Sequence, residues 1–212
     1  MIKAEVIGLT GQTGAGKSSV RKLLEKQGAA VIDADTVAHN VADNEILCLL
    51  EIVEHFSCIV LNDKGKLNRK TLGRIVFSDK KQLLALNKIM FPYINKAIEK
   101  QIAELTDAGA KQIIVDGATL IESKCSKMCS VLISVTADEK TRLGRIMERD
   151  KISRTDAERR ISSQHPEEFY EDESDFVIKN DGTREELERE VGFVLGKIAE
   201  KRHNEILTEV GY

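Results

Sequence analysis

Gly11-Gln-Thr-Gly-Ala-Gly-Lys-Ser18 decides the fold of this chain. The stretch fits the phosphate-loop pattern, a glycine, four residues, then Gly-Lys and Ser or Thr, at every position. Its flanks supply the context that pattern needs: Ala4-Glu-Val-Ile-Gly-Leu9 runs apolar into it, and Ser19-Val-Arg-Lys-Leu-Leu24 leaves it with helical spacing. The segment is therefore predicted to be strand, loop and helix. Gly11, Gly14 and Gly16 allow successive backbone N–H groups to point inward, and the helix that follows adds its own N-terminus. Gly11, Gly14 and Gly16, with Lys17 and Ser18, are thus the expected nucleotide cradle. Lys17 can reach the β- and γ-phosphates, and the Ser18 hydroxyl is placed to ligate the Mg²⁺ that travels with a nucleotide. A glycine turn that merely joins a strand to a helix would leave the Lys17-Ser18 pair to coincidence.

At 212 residues the chain is long enough for one full core with inserts. Its 32 basic and 35 acidic residues give a net charge of -3, which does not suggest a protein that lives on nucleic acid or on a membrane surface. No run approaches the roughly 18 apolar residues of a membrane span, and no signal-peptide pattern precedes the first strand. A cytoplasmic protein, monomeric or weakly homo-oligomeric, is expected. Cys48, Cys58, Cys125 and Cys129 are too scattered for a disulfide framework. Cys125 and Cys129 could share a helix face, but no further metal ligands lie at matching spacing. Ordinary thiols are expected.

Short apolar runs bounded by turn residues recur at 2–9, 30–32, 112–115, 131–135 and 176–178, and each is too short for a helix that packs alone. Helical patterns separate them, the signature of a parallel sheet with both faces covered. The expected fold is α/β, three-layered, with a five-stranded parallel sheet. Between the second and third strands, 45–56, 79–89 and 93–105 place apolar residues at three- and four-residue steps, so about 36–108 is expected to be a helical insertion. Between the fourth and fifth strands, about 138–172 carries Arg142, Arg145, Arg149, Arg154, Arg159 and Arg160 and is a candidate lid. The core would then comprise about 1–35, 109–137 and 173–212. Thr155-Asp-Ala-Glu158 and Thr183-Arg-Glu-Glu186 both have the capping-box form and mark expected helix starts.

A phosphate loop alone specifies a nucleotide and no reaction, so the other strand ends matter. The second strand ends Val31-Ile-Asp-Ala-Asp35, and ligands of an open parallel sheet bind outside the carboxyl ends of its strands. Asp33 is the candidate general base, accepting the proton of a substrate hydroxyl as that hydroxyl attacks phosphorus. Asp35 can N-cap a helix over 36–42 or orient Mg²⁺ through water; helix capping and a solvated turn would account for both residues without chemistry. Ile113-Ile-Val-Asp116 is an apolar strand ending in the carboxylate form expected of a Mg²⁺-shell residue, although Asp116 can equally cap the turn at Gly117. Arg145 and Arg149 share a helix face and can close on phosphate together, excluding water whose attack would waste ATP. The plain alternative is a solvated helix in which they pair with Glu148 and Asp150.

With these features in this order, the chain resembles the dephospho-CoA kinase family over nearly its whole length. The carriers are Gly8-Leu-Thr-Gly11 through Lys17-Ser18, and Val31-Ile-Asp-Ala-Asp35 with His39. Weaker matches follow at Leu67-Asn-Arg69, Val76-Phe77, Glu122, Arg145-Ile-Met-Glu-Arg149-Asp150, Gln164 and Asp175-Phe-Val-Ile-Lys-Asn180. The resemblance implies a phosphate-loop core, a helical domain for the CoA moiety and a lid. It also implies transfer of the ATP γ-phosphate to the ribose 3′-hydroxyl of dephospho-CoA. It puts ATP on residues 14–19, the base on Asp33, a phosphate-binding arginine at Arg149 with Arg145 as a second candidate, and Asn180 near the adenine. The chain departs from the family at Met90-Phe-Pro92, where Leu-His-Pro is usual, at Ala118 and Thr119, where Pro-Leu is usual, and at Phe169 and Tyr170, where a basic residue is common. Those positions concern the acceptor and the cleft wall more than ATP.

Three other functions compete with this one. A related kinase could act on another nucleotide or nucleoside-like acceptor. A GTP switch would need an Asp, two residues, Gly motif and a guanine-reading Asn-Lys-x-Asp, and Asn87-Lys-Ile-Met90 lacks the final Asp. A non-catalytic nucleotide-binding protein would have no use for a base at Asp33.

Overall fold

The computed structural model describes residues 4–209. Residues 2 and 3, at the start of the first expected strand, lie outside them. Five strands, β1 (Glu5–Gly11), β2 (Ala30–Asp33), β3 (Gln112–Asp116), β4 (Val131–Thr136) and β5 (Phe176–Lys179), form one sheet in the order β2-β3-β1-β4-β5. Every pairing in it is parallel.

Both faces of the sheet are buried, which is why its strands read as continuous apolar runs. Ile7 and Leu9 of β1 pack with Ile114, Ile133 and Val135 beneath Val20 and Leu24 of α1 (Lys17–Lys26) and Leu187, Val191 and Val194 of the C-terminal helix. Val6, Ile113 and Val115 face the other way, onto the insertion. Successive strand residues thus serve opposite layers, as the period of two demands. β1 sits between β3 and β4, and the chain leaves β1 toward β2 on one side and β3 toward β4 on the other. The crevice at the carboxyl end of β1 and β3 is therefore where such a sheet receives a ligand.

The insertion comprises α2 (Ala34–Asn44), α3 (Ile46–Phe56), α4 (Arg69–Ser78) and α5 (Lys80–Asp107). Helices expected over 79–89 and 93–105 are in fact one, and α5 runs through Pro92 for 28 residues, about 42 Å at 1.5 Å per residue. Proline removes one helical donor, but Leu86, Ile89, Met90, Tyr93, Ile94 and Ala97 all pack on the same core, and that continuous stripe outweighs a single lost bond. Two helix starts also differ from expectation. Asp33, rather than Asp35, N-caps α2, its Oδ1 accepting from the Thr36 N–H at 2.9 Å. The helix expected to start at Thr155 begins two residues earlier: Ser153 caps α7 (Arg154–Ser162), its Oγ accepting from the Asp156 N–H at 3.1 Å. The second capping box is present, with Thr183 N–H donating to Glu186 at 2.7 Å and Glu186 N–H to Thr183 Oγ1 at 3.2 Å, ahead of α9 (Arg184–Glu209). Between β4 and β5 the chain forms α6 (Glu139–Asp150), α7 and α8 (Glu167–Glu173).

Candidate active site

The phosphate loop leaves β1 at Gly11 and enters α1 at Lys17, and two of its glycines are required by geometry. Gly11 has φ 148°, and a Cβ there would stand 2.3 Å from the Val135 carbonyl oxygen. Gly16 has φ 94°, and its Cβ would meet Asn180 Nδ2 at 2.2 Å. Gly16 is the N-cap of α1 and offers no side-chain acceptor, and since the Ser19 N–H turns to the Gly16 carbonyl at 2.8 Å, the Lys17 and Ser18 N–H groups are the ones left facing an anion.

Behind this loop stand the two strand-end carboxylates. Asp33 and Asp116 are direct register partners on β2 and β3, so the sheet holds them side by side. Two cations separate them. Lys17 Nζ is hydrogen-bonded to Asp116 Oδ1. Arg21 Nη1 donates both to Asp33 Oδ2 at 3.0 Å and to Asp116 Oδ2 at 3.2 Å. Asp116 is only 5% exposed, so its charge depends on these partners. Burial pushes the Asp33 carboxyl up, but the Thr36 N–H and the Arg21 guanidinium outweigh it and hold the carboxyl below its ordinary value. Burial likewise opposes the Arg21 charge, and the facing carboxylates more than restore it. Of the two uses open to Asp116, capping of the Gly117 turn is not the one adopted: the Gly117 N–H donates to the Leu9 carbonyl at 3.1 Å, and the carboxylate faces the cations.

The arginines of α6 divide in role along the helix. Arg142 is buried, with Nε donating to the Thr13 carbonyl at 3.0 Å and Nη2 to Gln164 Oε1 at 3.2 Å. The same Gln164 oxygen accepts the Thr13 N–H at 2.8 Å, so the segment after β4 grips the loop from outside. Arg145 Nη1 donates to the Asn180 carbonyl at 2.9 Å and to that of Ala15 at 3.3 Å. Asn180 Nδ2 donates to the Ala15 carbonyl at 2.7 Å. Arg149 is different: its side chain is 60% exposed and forked onto its neighbour Asp150 at 2.7 and 2.9 Å. The pairing with Asp150 is thus present, while Arg149 still lines the cleft.

Two adjoining cavities meet at Gly16 and Arg145. The first, about 500 Å³, lies over the loop and is lined by Gly11, Gly14, Lys17, Ser18, Arg149 and Asp35, with Ala118 and Gln164 on its walls. The second, about 400 Å³, runs along α1 past Ser19, Leu23, Asn180, Thr183 and Leu187. Of the sequence-predicted residues, Asp33, Asp116 and Ala15 do not line either cavity; the two carboxylates stand behind Lys17, and Ala15 is buried with its carbonyl on Asn180. The donor set suits Mg²⁺, which prefers hard oxygen ligands, keeps several waters and needs only one or two carboxylates beside substrate phosphates. Ser18 and Asp35 face the cavity with Asp116 beyond them, and among the described residues no cluster of three His, Cys, Asp or Glu forms a dedicated metal cage.

Arg21 and Arg142 escaped the sequence-based selection of site residues. Arg21 is one helical turn beyond Lys17, and Arg142 is one turn before Arg145, so the i,i+3 and i,i+4 spacing was the available signal. The acceptor-side departures are now located: Phe91 lies within α5, Ala118 lines the larger cavity and accepts from the Thr10 hydroxyl at 3.4 Å, and Tyr170 is buried.

A five-stranded parallel sheet with an open glycine loop, a loop lysine and strand-end carboxylates defines the phosphate-loop kinases. The fold is shared with shikimate kinase from Acinetobacter baumannii, at TM-score 0.53 and 16% identity, covering 94% of this chain and 96% of that one. Within that class, a family model for dephospho-CoA kinase matches residues 5–186, and the chain belongs to the dephospho-CoA kinase family. It is 39% identical to the dephospho-CoA kinase of Halalkalibacterium halodurans over 88% of this chain and 92% of that protein. It is 37% identical to a dephospho-CoA kinase domain-containing protein of Danio rerio over 88% and 82%. Among solved structures, dephospho-CoA kinase from Campylobacter jejuni superposes with TM-score 0.66 at 28% identity, covering 93% of this chain and 98% of that one.

Proposed function

We propose that this chain transfers the γ-phosphate of ATP to the ribose 3′-hydroxyl of dephospho-CoA, giving coenzyme A and ADP. The observation that carries this proposal is the convergence of an open phosphate loop, Lys17 and the paired Asp33 and Asp116 at one end of the sheet. Phosphoryl transfer needs positioning and charge neutralisation more than covalent chemistry. The loop N–H groups and Lys17 bind the β- and γ-phosphates of ATP, and the smaller cavity beside Asn180 receives the adenine. Ser18 would hold Mg²⁺, with Asp116 or Asp35 through water, and the ion would supply charge neutralisation to the nucleotide phosphates. Asp33 Oδ2 accepts the proton of the attacking hydroxyl, while Oδ1 stays on the Thr36 N–H and fixes the carboxylate plane. A carboxylate held below its ordinary pKa is ionised throughout the neutral range and ready to accept.

In this proposal residues 36–108 take the CoA moiety and residues 138–172 form the lid. Arg149 leaves Asp150 to meet the transferring phosphate, and Arg145 supports it. A cytoplasmic enzyme acting as a monomer or weak homo-oligomer suits an ATP-consuming step of this kind. A coupled assay for ADP with ATP, Mg²⁺ and dephospho-CoA tests the assignment, with adenosine and nucleoside monophosphates as competing acceptors. Turnover with dephospho-CoA well above the ATP-only control is expected. Preferential turnover of another acceptor would replace dephospho-CoA while keeping the donor half.

A further inference from the structure

The pairing of buried Asp116 with the half-buried Asp33 raises a problem that ATP binding makes acute. Asp33 and Asp116 are register partners, and Asp116 is 5% exposed. In this structure Lys17 is one of its two cations. A loop lysine must move onto the phosphates of a bound nucleotide to neutralise them. If it were the only counter-charge, its departure would strand a buried carboxylate beside a second one, which is strongly unfavourable.

Arg21 meets that need from the following turn. It stands four residues after Lys17 on α1, and helical side chains lean toward the N-terminus, which carries its guanidinium back over the strand ends. One nitrogen, Nη1, is shared by Asp33 Oδ2 and Asp116 Oδ2, and Nε lies 3.7 Å from Glu25. Arg21 lines neither cavity, so it is not placed to bind nucleotide itself.

We propose that Arg21 is a positioning residue for phosphoryl transfer: its guanidinium clamps Asp33 and Asp116 together and remains with them while Lys17 passes from Asp116 to the phosphates of ATP. This rests on the phosphoryl-transfer function proposed above. Arg21 has no contact with substrate and acts through the two carboxylates. It keeps Asp33 aimed and lets Lys17 leave without exposing an unpaired charge.

Two measurements on the full chain decide it. Arg21→Met keeps the aliphatic stem and removes the clamp. It should lower kcat by about tenfold to a hundredfold, the scale of a misplaced reacting group, while KM for dephospho-CoA changes little. In an Asp33→Asn background the same substitution should cost much less, because its target is already disabled. An unchanged kcat, or a full additive loss in that background, would overturn the proposal. A crystal structure of the unsubstituted chain with ADP supplies a readout independent of the acceptor. Lys17 on the β-phosphate with Arg21 still bridging Asp33 and Asp116 supports the clamp; Arg21 turned away from either carboxylate overturns it. Absence of wild-type turnover with dephospho-CoA would instead count against the acceptor assignment, and the ADP complex would still decide the role of Arg21.

Discussion

The floor beneath the phosphate loop and the helical insertion beside it are built on opposite terms. In the floor each charged group has hydrogen-bond partners: Lys17 and Arg21 on Asp116, Arg21 and the Thr36 N–H on Asp33, and Arg142 on the Thr13 carbonyl and Gln164. The insertion leaves apolar surface uncovered. Among the described residues, six of the seven exposed large hydrophobic side chains, Ile46, Leu47, Leu50, Ile59, Phe77 and Leu84, lie between residues 46 and 84, and only Phe193 lies elsewhere. A pre-set polar floor suits a donor site whose charges must be fixed before reaction, since preorganised groups need no rearrangement at the transition state. An exposed apolar surface suits a site that is completed by what it binds. The family resemblance is strong in the loop itself and weakens on both sides of this division, at Phe91 in the insertion and at Ala118 and Thr119 after β3.

Substitutions can break that division or sharpen it. The largest effect is expected in the floor, where Asp33→Asn should slow turnover by about 10²- to 10⁴-fold and leave ATP binding nearly unchanged. A near-normal rate would remove Asp33 as the base. Next comes Arg149→Ala, expected to lower kcat by about 10²- to 10³-fold, the scale of one lost transition-state donor. Because Arg149 is exposed and its ion pair is with its neighbour Asp150, the melting temperature should barely move; a large fall in stability would make it a structural residue. In the insertion, Phe77→Ala removes a ring that is 84% exposed and so should alter stability by less than about 0.5 kcal/mol. It should raise KM for the acceptor by about three- to tenfold, as loss of a modest apolar contact would, with KM for ATP unaffected. A shift in the ATP constant instead would erase the boundary between the two regions.

The smallest effect concerns the thiols, which lie in the insertion or in the core packed against it. Burial pushes Cys125 up to about 11 and Cys129 to about 12, and Cys48 in α3 to about 11 with help from Glu51 and Glu45. Raised pKa values mean less thiolate at any pH below them, so these three should alkylate slowly at pH 8 and faster only as pH rises further. Cys58 is exposed and should react first. Mass spectrometry of the native protein after brief iodoacetamide treatment checks this, and rapid labelling of Cys129 would contradict its burial.

The parts legible in the sequence were those with local causes. The loop could be read because Gly16 needs a left-handed backbone and Lys17 follows it, and the strands because burial on both faces makes them predominantly apolar. Helix starts were less legible, since several polar residues compete within one turn: Asp33 and Asp35 at α2, Ser153 and Thr155 at α7, in each case the earlier residue being the cap. Continuity of α5 through Pro92 was hidden because it depends on a core stripe contributed by other helices. The clamp at Arg21 was hidden for the same reason, as Asp33 and Asp116 lie far apart in the chain and become neighbours only through sheet order.

The central claim, a donor floor that serves dephospho-CoA, is tested most directly by identifying the product. After incubation with ATP, Mg²⁺ and dephospho-CoA, phosphorus NMR and mass spectrometry should find coenzyme A phosphorylated at the ribose 3′-oxygen, formed in equal amount with ADP. Dephospho-CoA recovered unchanged, or ADP formed at the same rate without it, would contradict the account.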